Sequence, residues 1–403
     1  MRTFRWIIFS GGGLVAVLAL LWISPFGWAP MRDGAPYEFQ LMDNRFSSAS
    51  EEAGVLLQQA RLDIGAPAMS VAVGYQGQLV WAAASGWSDD ENGLAASPDT
   101  RFRIGSTSKA LTATGLARLV QQGDLDLDTP LELLMPLPNP DWAPITPRQL
   151  ASHTAGLPGY DENRDMWGIY SSLCLCHQFD NVMDALEVFD DTDLIYVPGT
   201  DFHYSSFDVN LLSAAIQEAA QAPFLEIMSR EVFEPLVMQD TGADHPNRDS
   251  SFDAVFYERR GQLIRPWRDV DMSQKWASGG FVSTSSDLVR LGLSWLDDDY
   301  ILPSTRALFW TPQVLDDGTV NEQNYALGWR VGHSTRVFDT EHPVAIAHHG
   351  GVSKGAMSFL IVLPEERLVV AININAHAEE FTDFSAVWAD IARMFLESGQ
   401  DLP

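Results

Sequence analysis

The chain is poor in cysteine and in positive charge, and each shortage excludes a class of structure or of binding partner. Its 403 residues include two cysteines, Cys174 and Cys176, and this close spacing allows at most a strained disulfide, so no disulfide framework is predicted. Lysine and arginine number 25 against 54 aspartates and glutamates, a formal net charge of −29. Such a chain repels phosphates and anionic lipid headgroups. We therefore expect no nucleic-acid partner and no electrostatic adhesion to membranes, and we interpret the charge as favouring solubility.

Several functional motifs are also missing. The sequence contains no Gly-x-Ser-x-Gly, no His-Glu-x-x-His and no phosphate-binding loop, so an elbow-type hydrolase, a zincin and a P-loop enzyme are not supported. His348 and His349 are adjacent, and adjacent side chains point in opposite directions on a strand. The ligand spacings in Cys174–His177 are shorter than those usual for zinc. We therefore predict no metal site.

What is present is typical of a globular protein with a large core. The hydrophobic content is 46% and the chain has 13 tryptophans, which fits one large domain or two ordinary ones. Apolar runs predict strands at Ala68–Val73 and Gln78–Ala83 near one end, and at Met357–Leu363 and Leu368–Ile374 near the other. Helices are predicted at Glu51–Leu62, Val182–Phe189, Leu211–Ala220, Asp287–Trp295 and Phe384–Leu396. This order predicts one sheet built from both termini, with a helical insertion.

The N-terminal region contains an uncharged apolar run, Trp6–Ile23, preceded by two arginines. This pattern predicts a membrane anchor whose N-terminus stays in the cytoplasm, and the alternative is a signal peptide cleaved near Gly27–Ala29. We expect residues 1–29 to form the cytoplasmic stub and transmembrane anchor, and residues 30–50 to form a tether. The protein would then be a single-pass inner-membrane protein with a periplasmic catalytic domain.

A serine and a lysine stand at the start of another predicted helix, which ends at Gly123. Ser106 and Lys109 are one helical turn apart, so the amine can reach the hydroxyl. A serine becomes a nucleophile when a base removes its proton, and an amine in a dry pocket at a positive helix end can be that base. The alternative is a serine N-cap followed by a surface lysine. The Ser-x-x-Lys pattern alone does not decide between these interpretations.

Further motifs favour the catalytic interpretation. Four segments follow Ser106–Lys109 in this order: Leu150–Pro158, Pro198–Ser206, Trp276–Thr284 and His348–Gly351. The order and spacing resemble the serine beta-lactamase and penicillin-binding-protein superfamily, in its class C and D,D-peptidase branch. Within that branch, Phe256–Arg260 and Lys275–Gly280 are most similar to the mitochondrial serine beta-lactamase-like proteins and their bacterial relatives. The resemblance extends from about Glu51 to the C-terminus.

The resemblance implies an α/β fold of the beta-lactamase/D,D-peptidase type. This fold has an antiparallel sheet flanked by helices and an all-helical subdomain, here expected over residues 51–403 with the subdomain at about 124–270. By the same resemblance, Ser106 is the acylated nucleophile, and Lys109 is either its base or the group that keeps the base ionised. Tyr204 is the second proton shuttle, which serves the leaving group and then the deacylating water.

The resemblance also implies the binding groups of the site. The backbone N–H groups of Ser106 and Gly351 form the oxyanion hole, and Ser206 and Gly350 contact the substrate. His348 takes the first position of the third motif and is counted among the catalytic residues. All these groups belong to the protein, so no cofactor is implied.

Two departures from the family pattern bear on the substrate. Ser206 stands where asparagine is frequent, and His348 stands where many beta-lactamases have lysine. A histidine is less cationic than a lysine near neutral pH, so it attracts a substrate carboxylate less strongly. We therefore predict that esters or peptides are cleaved better than penicillins, although Lys354 could restore part of the charge.

The sequence thus predicts a serine hydrolase that acts through an acyl-enzyme on peptide, ester or beta-lactam bonds. Peptidoglycan peptides are among the expected partners, together with the membrane through the N-terminal helix. The alternative is a non-catalytic protein on the same fold that binds cell-wall peptides or assembles into filaments, and a homo-oligomer is left open. The intact set of Ser106, Lys109 and Tyr204 favours the enzyme.

Overall fold

The computed structural model describes residues 27–245, 250–338 and 341–400. Within these ranges, no helix has the length and apolar character needed to cross a membrane. The predicted anchor, Trp6–Ile23, lies outside the described residues.

An eight-stranded antiparallel sheet forms the centre of the protein. Its seven longer strands, in chain order, are β1 (Tyr37–Leu41), β2 (Ala68–Tyr75), β3 (Gln78–Asp89), β4 (Arg330–Ser334), β5 (Val344–Ser353), β6 (Ala356–Leu363) and β7 (Leu368–Ile374). They lie in the order β4-β5-β6-β7-β2-β3-β1. The eighth strand, Leu94–Ala95, pairs with the end of β3.

Strands from the two ends of the chain meet at the middle of this sheet. β7 pairs with β2 from Leu368 opposite Tyr75 to Ile374 opposite Met69. Both strands are almost wholly apolar and buried, as expected for strands covered on both faces. The prediction of one sheet built from both termini is confirmed.

The helices surround this sheet. In chain order they are α1 (Ser47–Ile64), α2 (Ser108–Gln122), α3 (Leu131–Leu134), α4 (Pro147–Ser152), α5 (Met166–Cys174), α6 (Ser206–Ala220), α7 (Phe224–Met228), α8 (Trp276–Gly279), α9 (Ser285–Ser294), α10 (Pro303–Phe309), α11 (Phe381–Ser385) and α12 (Val387–Gln400). α2 ends at Gly123, which adopts the left-handed conformation with φ 83°, so the predicted helix end is confirmed.

Two hydrophobic cores lie on opposite faces of the sheet. α1 and α12 cover one face, where Phe46, Trp81 and Phe395 are among the buried side chains. α9 packs on the other face against β2 and β7. This second core is the larger one. It extends into the helical part of the chain that follows β3 and precedes β4, and its buried side chains include Leu116 and Trp142. The predicted motifs Leu150–Pro158 and Trp276–Thr284 contribute side chains to this second core.

The expected tether needs correction. Within the segment predicted as a tether, 30–50, Tyr37–Leu41 forms the edge strand β1 and pairs with β3. Ala29–Pro30 pairs with Leu263–Pro266. The alternation of apolar Tyr37, Phe39 and Leu41 with polar residues is the two-residue period that could have revealed this strand.

Other boundaries also differ from the sequence expectations. The subdomain predicted as all-helical at 124–270 includes a hairpin in which Tyr257–Arg260 pairs with Leu263–Pro266. Only a 3-10 turn, Asp184–Val188, forms where a helix was predicted at 182–189. The closing helix is divided into α11 and α12. Each difference depends on contacts with distant segments, which a local pattern does not contain.

Candidate active site

The nucleophile position lies in a tight turn between the sheet and α2. Ser106 is half-buried in the 3-10 turn Gly105–Thr107, directly before α2. Gly105 has φ 50°, and a Cβ there would approach the Val352 carbonyl oxygen to 2.5 Å. The turn therefore requires glycine at this position, because the backbone of β5 passes directly against it.

Lys109 lies beneath Ser106 and is fully buried. Its Nζ is 3.1 Å from Ser106 Oγ and 3.3 Å from Ser206 Oγ, and it donates to the Ser278 carbonyl at 2.8 Å. Burial lowers the pKa of Lys109 to about 7. A neutral amine has a lone pair for the Ser106 proton, so this arrangement provides a base beside the nucleophile.

Tyr204 borders the same space. Its ring centroid is 4.9 Å from Lys109 Nζ and 4.9 Å from the Arg330 guanidinium. Burial raises the pKa of Tyr204, while the charge of Arg330 and a hydrogen bond with Ser106 oppose this effect. Because the pKa remains above its ordinary value of 10.0, the phenol keeps its proton at neutral pH and can donate it.

The third motif is displaced by one residue from its predicted position. Of the two adjacent histidines, His349 faces the cleft: its Nε2 accepts from Tyr325 at 2.9 Å, and its Nδ1–H donates to the Gly350 carbonyl at 2.8 Å. The His348 ring instead packs against Phe359, at 5.5 Å between centroids, on the core of the other face. Side chains alternate along β5, so His349 rather than His348 corresponds to the first position of the motif.

The same one-residue shift changes which glycine of the third motif lies against the nucleophile turn. A Cβ at Gly350 would meet Phe381 of α11 at 2.3 Å, so this predicted substrate-binding position faces away from the cleft. A Cβ at Gly351 would meet the Ile104 carbonyl oxygen at 1.9 Å and the Ser106 nitrogen at 2.8 Å. Gly351 is therefore the position where β5 crosses closest to the nucleophile turn.

The backbone of Val352 provides the donor beside Ser106. A Cβ at Gly105 would lie 2.7 Å from the Val352 nitrogen, so the polar backbone groups of Val352 face the nucleophile turn. Amides of neighbouring strand residues point in opposite directions within the sheet plane, which directs the Gly351 N–H toward β6. The geometry thus favours the Ser106 and Val352 N–H groups as oxyanion donors over the Gly351 N–H group that the sequence predicted.

A buried histidine–aspartate pair packs against the ring of Tyr204. His153 Nδ1 is 2.8 Å from Asp208 Oδ2, and the His153 ring is 4.4 Å from the Tyr204 ring between centroids. Burial raises the pKa of Asp208 and lowers that of His153, so the pair is stable in its uncharged form. The sequence indicated a local hydrogen bond for His153, but Asp208, like Arg330, was not recognised because the partners lie far apart in the chain.

The described residues contain a disulfide but no arrangement of side chains that could hold a metal ion. Cys174 and Cys176 form a disulfide at the end of α5. Across the described ranges, no group of three or more histidine, cysteine, aspartate or glutamate side chains is arranged to hold a metal ion.

The fold and the site together define a member of the serine beta-lactamase and penicillin-binding-protein superfamily. The chain belongs to the Beta-lactamase family, which it matches over residues 27–392. The serine beta-lactamase-like protein LACTB, mitochondrial, of Homo sapiens is 27% identical over 86% of this chain and 77% of that protein.

Two solved structures illustrate the shared fold. D-amino acid amidase from Ochrobactrum anthropi SV3 has a TM-score of 0.69 at 22% identity, covering 88% of this chain and 99% of its own. A penicillin-binding protein from Bacillus halodurans has a TM-score of 0.68 at 22% identity, covering 84% of this chain and 99% of its own. Family membership and the site geometry support a serine hydrolase of this superfamily.

Proposed function

We propose that this protein cleaves peptide or ester bonds through an acyl-enzyme on Ser106, in preference to beta-lactams. The observation that supports this most directly is the buried Lys109 amine, 3.1 Å from Ser106 Oγ. A lysine without a chemical role would rarely be buried without a carboxylate partner, because taking a charge out of water is costly.

The proposed acylation uses groups of the chain alone. Neutral Lys109 accepts the Ser106 proton while Oγ attacks the substrate carbonyl, and the oxyanion is held by the Ser106 and Val352 N–H groups. Collapse of the tetrahedral intermediate breaks the bond to the leaving group, which takes a proton from Tyr204. The Lys109 ammonium then returns the proton to Tyr204 through the hydrogen-bonded site.

Deacylation repeats these roles with water. A water molecule attacks the acyl carbonyl as one of its protons passes to the Tyr204–Lys109 pair. The bond between the acyl carbon and Ser106 Oγ then breaks, the pair returns the proton to Oγ, and the acid is released as the second product. The Ser206 hydroxyl contacts Lys109 at 3.3 Å, so it orients the amine between the two half-reactions.

The proposed preference for peptides or esters rests on the third motif. His349 is buried, and burial lowers its pKa well below the ordinary value, so it is uncharged where many relatives would have a lysine cation. Arg330, a cation in this part of the cleft, donates to Gln323 at 2.8 Å and lies over two tyrosine rings. The cleft is thereby less suited to the carboxylate of a penicillin. A solved neighbour described as a D-amino acid amidase is consistent with this preference.

The cellular location is proposed from the sequence alone. An apolar run at Trp6–Ile23 preceded by arginines supports a single-pass inner-membrane protein with its catalytic domain in the periplasm. Peptidoglycan peptides would then be accessible substrates.

Covalent labelling tests the proposal. The detergent-solubilised full chain is incubated with a fluorophosphonate probe and with a fluorescent penicillin, and each sample is weighed as intact protein. We expect one adduct on the parent and on Ser304→Ala, a control at an exposed serine of α10, and none on Ser106→Ala. The fluorophosphonate should react faster than the penicillin.

Three results would contradict the proposal. Equal labelling of the parent and Ser106→Ala would exclude Ser106 as the nucleophile. Fast turnover of the penicillin, with slow turnover of peptides and esters, would reverse the proposed preference. Absence of any adduct on folded protein would favour the non-catalytic scaffold.

A further inference from the structure

The disulfide at the end of α5 acts on a very short piece of backbone. Cys174 and Cys176 are the two cysteines of the 403-residue chain, and their sequence separation is 2. A disulfide stabilises a whole fold mainly by closing a long loop in the unfolded chain. The loop closed here contains Leu175 alone between the cysteines, so the bond chiefly constrains the backbone of that residue.

Leu175 has a backbone conformation that leucine disfavours. Its φ of 46° and ψ of 45° lie in the left-handed region, where the Cβ of an L-residue is crowded by the following carbonyl oxygen. The side chain is nevertheless buried, in a small cluster with Val270 and Met272. Because the disulfide joins the residues on both sides of Leu175, it restricts the rotation by which this backbone would leave the left-handed region.

The loop around Leu175 in turn holds the segment 267–272, which has no regular secondary structure. Asp271 donates its backbone N–H to the Leu175 carbonyl at 2.7 Å. Arg268 donates to the Cys174 carbonyl at 2.6 Å. The directions of both carbonyls depend on the backbone of the loop, so a change of its conformation would release the segment.

The segment leads directly into the part of the site that contacts Lys109. It continues as the 3-10 turn Ser273–Lys275 and then as α8. In α8 the Ser278 carbonyl accepts from Lys109 Nζ at 2.8 Å, whereas Nζ is 3.1 Å from Ser106 Oγ. With one N–H directed to this carbonyl, the lone pair of the neutral amine can face the Ser106 hydroxyl. The Ser278 carbonyl thus orients the base.

A separate contact keeps α8 attached to α2. The Thr112 hydroxyl donates to the Ala277 carbonyl at 2.8 Å, and both residues are buried. Release of the segment 267–272 would therefore leave α8 in the fold. It would change the direction in which Ser278 presents its carbonyl.

A reductant can reach the disulfide, because Cys176 is exposed and Cys174 is half-buried. One thiolate of a dithiol attacks Cys176 Sγ, the S–S bond breaks, and Cys174 leaves as a thiolate. The second thiol of the dithiol then attacks the mixed disulfide and releases Cys176. The dithiol is oxidised to a disulfide, and the protein gains two electrons and two protons.

We propose that the Cys174–Cys176 disulfide positions α8 against Lys109, and that its reduction by a dithiol lowers the activity of the site. The disulfide is thus a modification site, and its cysteines are positioning residues that act through the Ser278 carbonyl. This inference rests on the proposed hydrolase function. The expected change is in kcat rather than in KM, because the base acts in the chemical step.

Reduction tests the inference directly, because the chain contains two cysteines. The full chain is assayed on para-nitrophenyl hexanoate before reduction with dithiothreitol, after it, and after reoxidation, with Ser106→Ala as the background. We expect reduction to lower kcat about tenfold, the effect of losing one hydrogen bond to a group that becomes charged. Reoxidation should restore the rate, and an unchanged kcat in the reduced protein would overturn the inference.

Substitutions provide the matched controls. The double variant Cys174→Ser/Cys176→Ser should have the rate of the reduced parent and should not respond to dithiothreitol. Leu173→Ser changes an exposed side chain at the same helix end and keeps the disulfide, so it should have the parent rate and the parent response.

A double-mutant cycle separates positioning from a general loosening of the fold. In Lys109→Met the base is absent, so the two cysteine substitutions should leave the residual rate unchanged. An equal loss in the parent and in the Lys109→Met background would overturn the inference, because the disulfide would then act on the whole fold.

Hydrogen exchange distinguishes failure of this inference from failure of the proposed reaction. Amide exchange is measured in the oxidised and in the reduced full chain, on peptides that cover residues 267–281 and, as a reference, on β7. Faster exchange of 267–281 after reduction, with β7 unchanged, would support the positioning role even if the ester were not hydrolysed. Equal exchange in the two states would overturn it, even if the parent hydrolysed the ester.

Discussion

His348 and His349 are neighbours in β5, yet their surroundings are opposite. His349 is fully buried on the cleft side, and both ring nitrogens have partners, Tyr325 and the Gly350 carbonyl. His348 lies against Phe359 on the other face, and its buried Nδ1 has no hydrogen-bond partner among the described residues. Burial lowers the pKa of His348 to about 4, so the ring is neutral at physiological pH.

The difference shows that residue type alone does not define a functional position on a strand. The cleft face of β5 contacts the nucleophile turn, where Gly351 lies against the Ser106 nitrogen. The opposite face contacts the core formed with α11 and α12. We expect substitutions on the cleft side to change catalysis, and substitutions on the core side to leave catalysis unchanged.

The largest expected effect is on the cleft side, at Lys109→Met. Loss of the base should lower kcat/KM for an ester substrate by about 10³-fold or more, since general-base catalysis typically contributes 10²–10⁴-fold. Circular dichroism should show an intact fold, because methionine fits an apolar environment. Retention of activity within tenfold of the parent would rule out Lys109 as the base.

A smaller loss is expected at Gly351→Ala. The new Cβ would meet the Ile104 carbonyl oxygen at 1.9 Å, so the nucleophile turn must shift away from β5. We expect kcat to fall about 10²-fold, as when one oxyanion donor is displaced. The control is Gly332→Ala on β4, where nothing lies within 4 Å of the added atom. Equal activity of the two variants would contradict the close crossing at Gly351.

The two histidines themselves provide a matched stability test. His349→Leu leaves the buried Tyr325 hydroxyl without its partner, so we expect the free energy of unfolding to fall by about 1–3 kcal/mol. His348→Leu removes a buried nitrogen without a partner, so we expect a neutral or stabilising effect. Urea unfolding of both variants measures the difference, and a larger loss in His348→Leu would reverse the orientation assigned here.

The smallest expected effect is the pH dependence of kcat/KM. Burial lowers the pKa of Lys109 to about 7, so its basic form increases as the pH rises through 7. We expect kcat/KM to rise about tenfold per pH unit below 7 and to level off above it. Because the pKa of Tyr204 is raised, no decrease should follow up to pH 9. Initial rates from pH 5 to 9 measure the profile, and a flat profile would exclude a titrating base.

Much of the sheet and of the site could be predicted from local patterns. The strand predicted at Leu368–Ile374 has those bounds in the structure, because a continuous apolar run between turn residues leaves little freedom. Ser106 and Lys109 lie one turn apart where a helix begins, so their contact follows from helical geometry. The third motif was displaced by one residue because two adjacent histidines and two adjacent glycines fit either register equally well.

The sequence by itself determined the order of the motifs, the central strands and the Ser106–Lys109 contact. Each of these depends on residues close together in the chain, where helical and strand periods predict direction. The tertiary structure decided which histidine faces the cleft and the pairing of His153 with Asp208. These contacts join segments far apart in the chain, and their geometry depends on how the sheet and helices pack.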